Sequence, residues 1–126
     1  MIADSTIIID FLRNKKNAID ALSKTPVLYT TEINVFEVMT GIYFLNKKRH
    51  AEILNALLTR MIILPLDRKS SLKAAKISAD LFSKGLPIEA TDCLIAGIAL
   101  ANGVTKIITA NISHFSRIQG VEVITY

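Results

Sequence analysis

Short apolar runs alternating with segments of helical period constrain this chain more than any other feature. Met1–Ala3, Val27–Tyr29, Met61–Leu64, Lys106–Thr109 and Val121–Ile124 are largely apolar and short enough to be buried strands. Between them, apolar residues recur at helical spacing over Thr6–Arg13, Ala18–Ser23, Glu32–Asn46, Arg49–Thr59, Ser71–Ser83 and Glu89–Ala101. Strands that lie parallel need a long crossover between them, and a helix usually provides it. The alternation therefore predicts a mostly parallel sheet of five strands with helices on both faces, a three-layer α/β/α fold. Punctuation agrees with these limits. Thr31 can cap the third helix and Ser70 the fifth, while Gly85 and Asn102-Gly103 stand where the fifth and sixth helices should stop.

The chain has 126 residues, with no repeat and no Pro/Gly/Ser linker, so residues 1–126 are read as one domain. Apolar residues make up 51% and charged residues 21%, which is a folding composition and not a disordered one. No apolar run approaches the roughly 18 residues of a membrane span, and the N-terminus lacks the marks of a secretory signal. A single cysteine, Cys93, rules out an internal disulfide framework and suits a reducing, cytoplasmic setting. Two histidines and one cysteine make a structural zinc site a poor expectation. The net charge of +4 permits a polyanionic partner without requiring one.

The acidic residues carry more information. Asp4 falls at the C-terminal end of the first strand, where an unpaired buried charge is costly. Glu37 lies in the second turn of the helix after strand two, Asp92 in the first turn of the helix before strand four, and Asn111 just past strand four. Open α/β sheets bind ligands beyond the carboxyl ends of their strands, where the strand order reverses. If strands one and four are neighbours, these four positions meet there. Each acid also has a structural reading: Asp4 can cap the first helix, and Asp92 can answer the dipole of its own. Ala96, Ala99 and Gly41 lie next to Asp92 and Glu37 on their helices, where they leave room for a ligand or let helices pack closely. Three carboxylates brought together repel and need a cation to stay ionised. Mg2+ or Mn2+ takes such oxygens, and can orient a water and stabilise charge on a phosphodiester. Ser5 or Thr6 can hold a water or a phosphate oxygen, or simply start the helix.

At these residues the chain resembles the PIN domain family, in its small single-domain form found in VapC toxins. "IADSTIIIDFL" resembles the opening motif with Asp4 as its first acid, and "TEINVFEVMTG" the second with Glu37. "IEATDCLIAGIALANGV" resembles the third with Asp92, and "IITANISHF" the last, with Asn111 where many members carry a fourth acid. The resemblance covers nearly the whole chain. It implies a Rossmann-like sheet of order 3-2-1-4-5 and an Mg2+- or Mn2+-dependent ribonuclease. Asp4, Glu37, Asp92 and Asn111 would be catalytic, and the three acids would hold the metal. Having three acids favours a one-metal resting site. Thr6, Arg13, Thr109 and His114 are the candidate substrate contacts. RNA is the implied substrate and a VapB-like antitoxin the implied partner. A homodimer is implied too, in keeping with the broad apolar faces of "VFEVMTGIYFLN" and "AEILNALLTRMI".

The remaining charges read as follows. Asp10 is expected to be structural, pairing with Arg13 three residues on. Glu32 decorates its helix start, Glu89 lies on the same side of its helix as Asp92 and either edges the acidic site or decorates the helix start, and His50 sits on the surface. Arg13, Lys15 and Lys16, then Asn46–His50, then Arg68 and Lys69, are solvated faces or phosphate contacts. Few aromatics are present, 6% with no tryptophan, so no base-stacking platform is evident. Three other readings compete: an RNA-processing nuclease outside a toxin system, a catalytically silent PIN-like binding module, and a phosphoacceptor receiver domain that would use Asp67 after strand three.

Overall fold

A computed structural model describes residues 1–126. Five strands, β1 (Ile2–Ala3), β2 (Tyr29–Thr31), β3 (Ile62–Leu64), β4 (Lys106–Ile108) and β5 (Glu122–Ile124), form one sheet in the order β3-β2-β1-β4-β5. Every pairing is parallel, with Ile2 opposite Tyr29 on one side and opposite Ile107 on the other. The helices are α1 (Ser5–Leu12), α2 (Lys16–Lys24), α3 (Glu32–Phe44), α4 (Lys48–Leu58), α5 (Arg68–Ser83), α6 (Ala90–Ala101) and the single turn α7 (Ile112–Phe115). The expected order and layering hold. A receiver domain orders its strands 2-1-3-4-5, so that reading falls; Asp67 caps α5 by accepting the Ser70 N–H at 2.8 Å.

The central strand is the shortest, yet it decides the architecture. Successive side chains of a strand point to opposite faces. Ile2 packs with Ile95, Ala96, Ile98 and Phe115 of α6 and α7, and Ala3 packs with Ile7, Ile8 and Val38 of α1 and α3. Helices α1 to α4 thus cover one face and α5 to α7 the other. Asp4 follows β1 directly. The chain moves outward from β1 to β2 and β3, then returns to place β4 on β1's other edge. The strand order reverses at Asp4.

Local chemistry explains where the elements differ from the sequence expectation. β2 lies two residues later than Val27–Tyr29, because Thr30 and Thr31 are fully buried and their β-branched chains suit a strand. Thr31 caps α3 as expected, accepting the Asn34 N–H at 3.2 Å. Ser70 does not cap α5; Asp67 does, and the helix begins three residues earlier than expected. Both residues are good caps, three positions apart, and the carboxylate takes the role. α7 was not expected; one buried residue, Phe115, anchors it. On α6 the small residues serve packing: a Cβ on Gly97 would lie 2.6 Å from the Ala74 Cβ of α5. Gly41 has nothing near it, and its face of α3 is open.

Candidate active site

Asp4 occupies the N-cap position of α1 but makes no cap hydrogen bond with its side chain. The capping expectation for it is therefore wrong. The carboxylate takes its donors instead from side chains of three elements, α1 itself, α3 and the residue just past β4. Asn34 Nδ2 donates to Oδ1 at 3.1 Å; Thr109 Oγ1 and Thr6 Oγ1 donate to Oδ2 at 2.7 and 3.1 Å. Both hydroxyl protons are spent on Asp4, so the 3.1 Å approach of Thr6 to Thr109 is a consequence of sharing one acceptor. The loop after β4 locks these hydroxyls, with the Ala110 N–H on Thr6 and the Asn111 N–H on Thr109, both at 2.9 Å. Asp4 is 3% exposed, and its nearest supports come from α1, α3 and the end of β4.

Asn34 is the hub that the sequence reading missed. It is fully buried, and its Oδ1 accepts both the Thr31 N–H and the Thr31 hydroxyl. Those donors fix which end of the amide is which. Nδ2 is left with two protons, one for Asp4 and one for Ser5 Oγ at 3.0 Å. Ser5 passes its own proton to Glu37 Oε1 at 2.7 Å. A chain of directed hydrogen bonds therefore runs from the cap of α3 to both Asp4 and Glu37. The only sequence signal for it was an amide at the third position of a capped helix, which reads as capping alone.

Asp92 is held from the far side. Asn111 Nδ2 donates to its Oδ2 at 3.0 Å, and His114 Nδ1 lies 2.6 Å from the same oxygen. A contact that short with a carboxylate needs a proton between the atoms, so His114 carries hydrogen on Nδ1 and donates it. The 3.0 Å approach of Asn111 to His114 is then two donors aimed at one oxygen. An amide at residue 111 supports Asp92 where an acid would repel it. His114 was expected to contact substrate; its first contact is Asp92, and α7 puts it there.

Asp4, Ser5, Thr6, Ile9, Glu37, Glu89, Asp92 and Asn111 line an open cleft of about 330 Å3 at this edge of the sheet. The cleft is strongly acidic. Burial lifts the Glu37 carboxyl above its ordinary value against the pull of Ser5, and the charges of Asp4 and Asp92 add to the rise. Burial likewise lifts Asp92, opposed by His114 and reinforced by Asp4 and Glu89. Glu89 edges the site. No three acid, histidine or cysteine side chains are drawn around a single point; the acids ring the cleft. The set nonetheless fits a hard divalent cation in kind, offering carboxylate oxygens under mutual repulsion that a cation would relieve.

Two of the expected substrate contacts are not on the cleft: Thr109 is fully buried with its hydroxyl on Asp4, and Arg13 lies elsewhere. Arg13 does not line the cleft; it faces a cavity of about 100 Å3 between α1, α3 and α4, with Lys47, His50 and Gly41. It caps the C-terminal end of α1, and the end of that helix points away from Asp4. Asp10 does not pair with Arg13 either. It lies 2.8 Å from Lys15 Nζ and accepts the Tyr126 hydroxyl at 2.8 Å. The left-handed turn at Asn14 brings Lys15 back toward α1.

This geometry defines an α/β/α domain with an acidic cleft at its topological switch point, and residues 1–121 match the PIN domain family. The chain belongs to the PIN domain family. It is 30% identical to Ribonuclease VapC1 of Rickettsia felis, over 99% of this chain and 95% of that protein. It is 29% identical to the tRNA(fMet)-specific endonuclease VapC of Salmonella typhimurium, over 60% of this chain and 57% of that protein. Among solved structures it is similar to VapBC2 from Rickettsia felis bound to a promoter DNA fragment, with a TM-score of 0.87 at 23% identity, covering 99% of this chain and 97% of that one.

Proposed function

We propose that this chain is an endoribonuclease of the VapC type, the toxin of a toxin–antitoxin pair, and that it depends on a divalent metal. One observation carries the reading: three carboxylates from three separate elements open onto one cleft where the strand order reverses, each held by dedicated donors. Buried donors of this kind have no use in a merely solvated acidic patch. The names of the relatives support the chemistry, ribonuclease and endonuclease, and the Rickettsia complex supports a VapB-like antitoxin as partner.

Asp4, Glu37 and Asp92 would hold Mg2+ or Mn2+, which when bound supplies positive charge for the phosphodiester and for an attacking water. The rest of the work belongs to the chain. Asn34, Thr6 and Thr109 hold Asp4 in one orientation, so that carboxylate enters the reaction already placed. Ser5 fixes Glu37 through one carboxylate oxygen. Asn111 and His114 do the same for Asp92. Thr6 and Asn111 line the cleft along which a phosphodiester would lie, and the fully buried Thr109 acts there only through Asp4. With three acids we assign one resident ion in the absence of RNA. A homodimer accords with Phe36, Tyr43 and Phe44 of α3 and Leu45 at its C-terminal cap, all exposed.

The test uses purified protein and structured RNA with Mg2+, Mn2+ or chelator. Cleavage should require the metal and should vanish in Asp4→Asn and Asp92→Asn, with circular dichroism unchanged. Full cleavage by either variant would overturn the site assignment, and a wild type that binds RNA but never cuts it would favour a silent binding module.

A further inference from the structure

Next to the acidic cleft lies a second cavity, of about 220 Å3. The segment after β4 walls both spaces: Asn111 faces the cleft, while Thr109, Ala110 and Ile112 line the second cavity. Its opposite side is Tyr126, with Asp10 and Asn17 from α1 and α2. Tyr126 is held in place, its hydroxyl donating to Asp10 at 2.8 Å and its carbonyl accepting from Asn17 Nδ2 at 3.4 Å. Ile112 is 47% exposed across from it. The space is large enough for one heterocycle.

We propose that this cavity is a nucleobase subsite, which takes the base of a nucleotide adjoining the scissile linkage and favours bases that carry an exocyclic amino group. The proposal rests on the ribonuclease reading above. The charge in the cavity decides against a phosphate: its one ionic side chain is the Asp10 carboxylate, and Lys15 is already spent on that carboxylate at 2.8 Å. A neutral ring with a donor edge fits. The tyrosine ring offers a stacking face whose cost of ordering the hydroxyl contact has already met. The carboxylate oxygens retain lone pairs that accept from an amino group and repel a carbonyl at the same position. Composition alone concealed this, because one aromatic suffices when the fold delivers it beside the site.

The test compares oligoribonucleotides carrying an abasic residue at each position flanking the cut. In the wild type, one flanking position should lose about tenfold in kcat/KM when made abasic. That penalty should disappear in Tyr126→Leu and largely persist in Tyr126→Phe, which keeps the ring. At the same position cytidine should outperform uridine, and Asp10→Asn should erase the difference. Equal abasic penalties in wild type and Tyr126→Leu would overturn the subsite; equal use of cytidine and uridine by the wild type would overturn the amino preference. The same oligonucleotides are titrated against Asp92→Asn, with and without Tyr126→Leu. That binding arm decides the subsite even if no cleavage is seen, a result that would count against the ribonuclease reading alone.

Discussion

Asn34→Ala is the substitution that most directly tests how the cleft is built. The side chain is fully buried and makes four hydrogen bonds: one to the Asp4 carboxylate, one to Ser5, and two received from Thr31. Hydrogen bonds to charged groups contribute about 1.5–3 kcal/mol and neutral ones about 0.5–1.5 kcal/mol. Loss of the cap exchange at the start of α3 belongs to the same range, about 1 kcal/mol. Water entering the vacated space would recover part of this. The expected loss is therefore about 3 kcal/mol, a large share of the roughly 5–15 kcal/mol that holds a domain folded. Urea unfolding monitored by circular dichroism measures it. Activity should fall further than stability explains, since Asp4 and the Ser5–Glu37 pair lose their common anchor together. Asn34→Asp sharpens the test, because it keeps the acceptor for Thr31 and the volume but removes both donors and adds a charge beside Asp4. It should retain most of the cap and still lose cleavage. A variant Asn34→Ala that unfolds within 0.5 kcal/mol (about the scatter of surface substitutions) and cuts RNA normally would refute the hub.

Three further outcomes follow from other parts of the molecule. Glu37→Gln keeps the acceptor for Ser5 while removing one of three crowded charges; the metal-free protein should gain up to about 1 kcal/mol at neutral pH, read by thermal melting, while its affinity for Mn2+ by calorimetry falls. Burial and the Asp10 contact push the Tyr126 hydroxyl up to about 12. Its folded value thus exceeds the roughly 10 of an unfolded tyrosine, so its contribution to stability is full below that lower value and is lost as pH rises toward the higher one. Tyr126→Phe should abolish that alkaline component of a pH–stability curve. Gly97→Ala would set a Cβ 2.6 Å from that of Ala74, against backbone as well as side chain; α5 and α6 must move apart, at a cost of about 1–3 kcal/mol in unfolding free energy.

The acids were legible because their positions follow from the alternation of elements. Once strands and helices are placed, Asp4 stands at a strand end and Glu37 and Asp92 in the first two turns of their helices, on the side where an open sheet binds ligands. What holds them was not legible. Asn34 and Thr31 read as a helix cap, and only the fold shows the amide's free end reaching Asp4 and Ser5, thirty and twenty-nine residues away in sequence. Arg13 and Asp10 failed for the same reason in reverse. Spacing along α1 proposed a pair, but the turn at Asn14 sent Lys15 to Asp10 and Arg13 to another cavity.

By itself, the sequence determined the parallel sheet, its helical layers and the acids at its edge, since hydrophobic period and chain direction are local properties that each segment carries within itself. Only the tertiary structure decided that His114 and Asn111 converge on one oxygen of Asp92, and that Tyr126 meets Asp10 beside the cleft. Those contacts join segments far apart along the chain, and their geometry exists only once β4 has paired with β1 and β5 with β4.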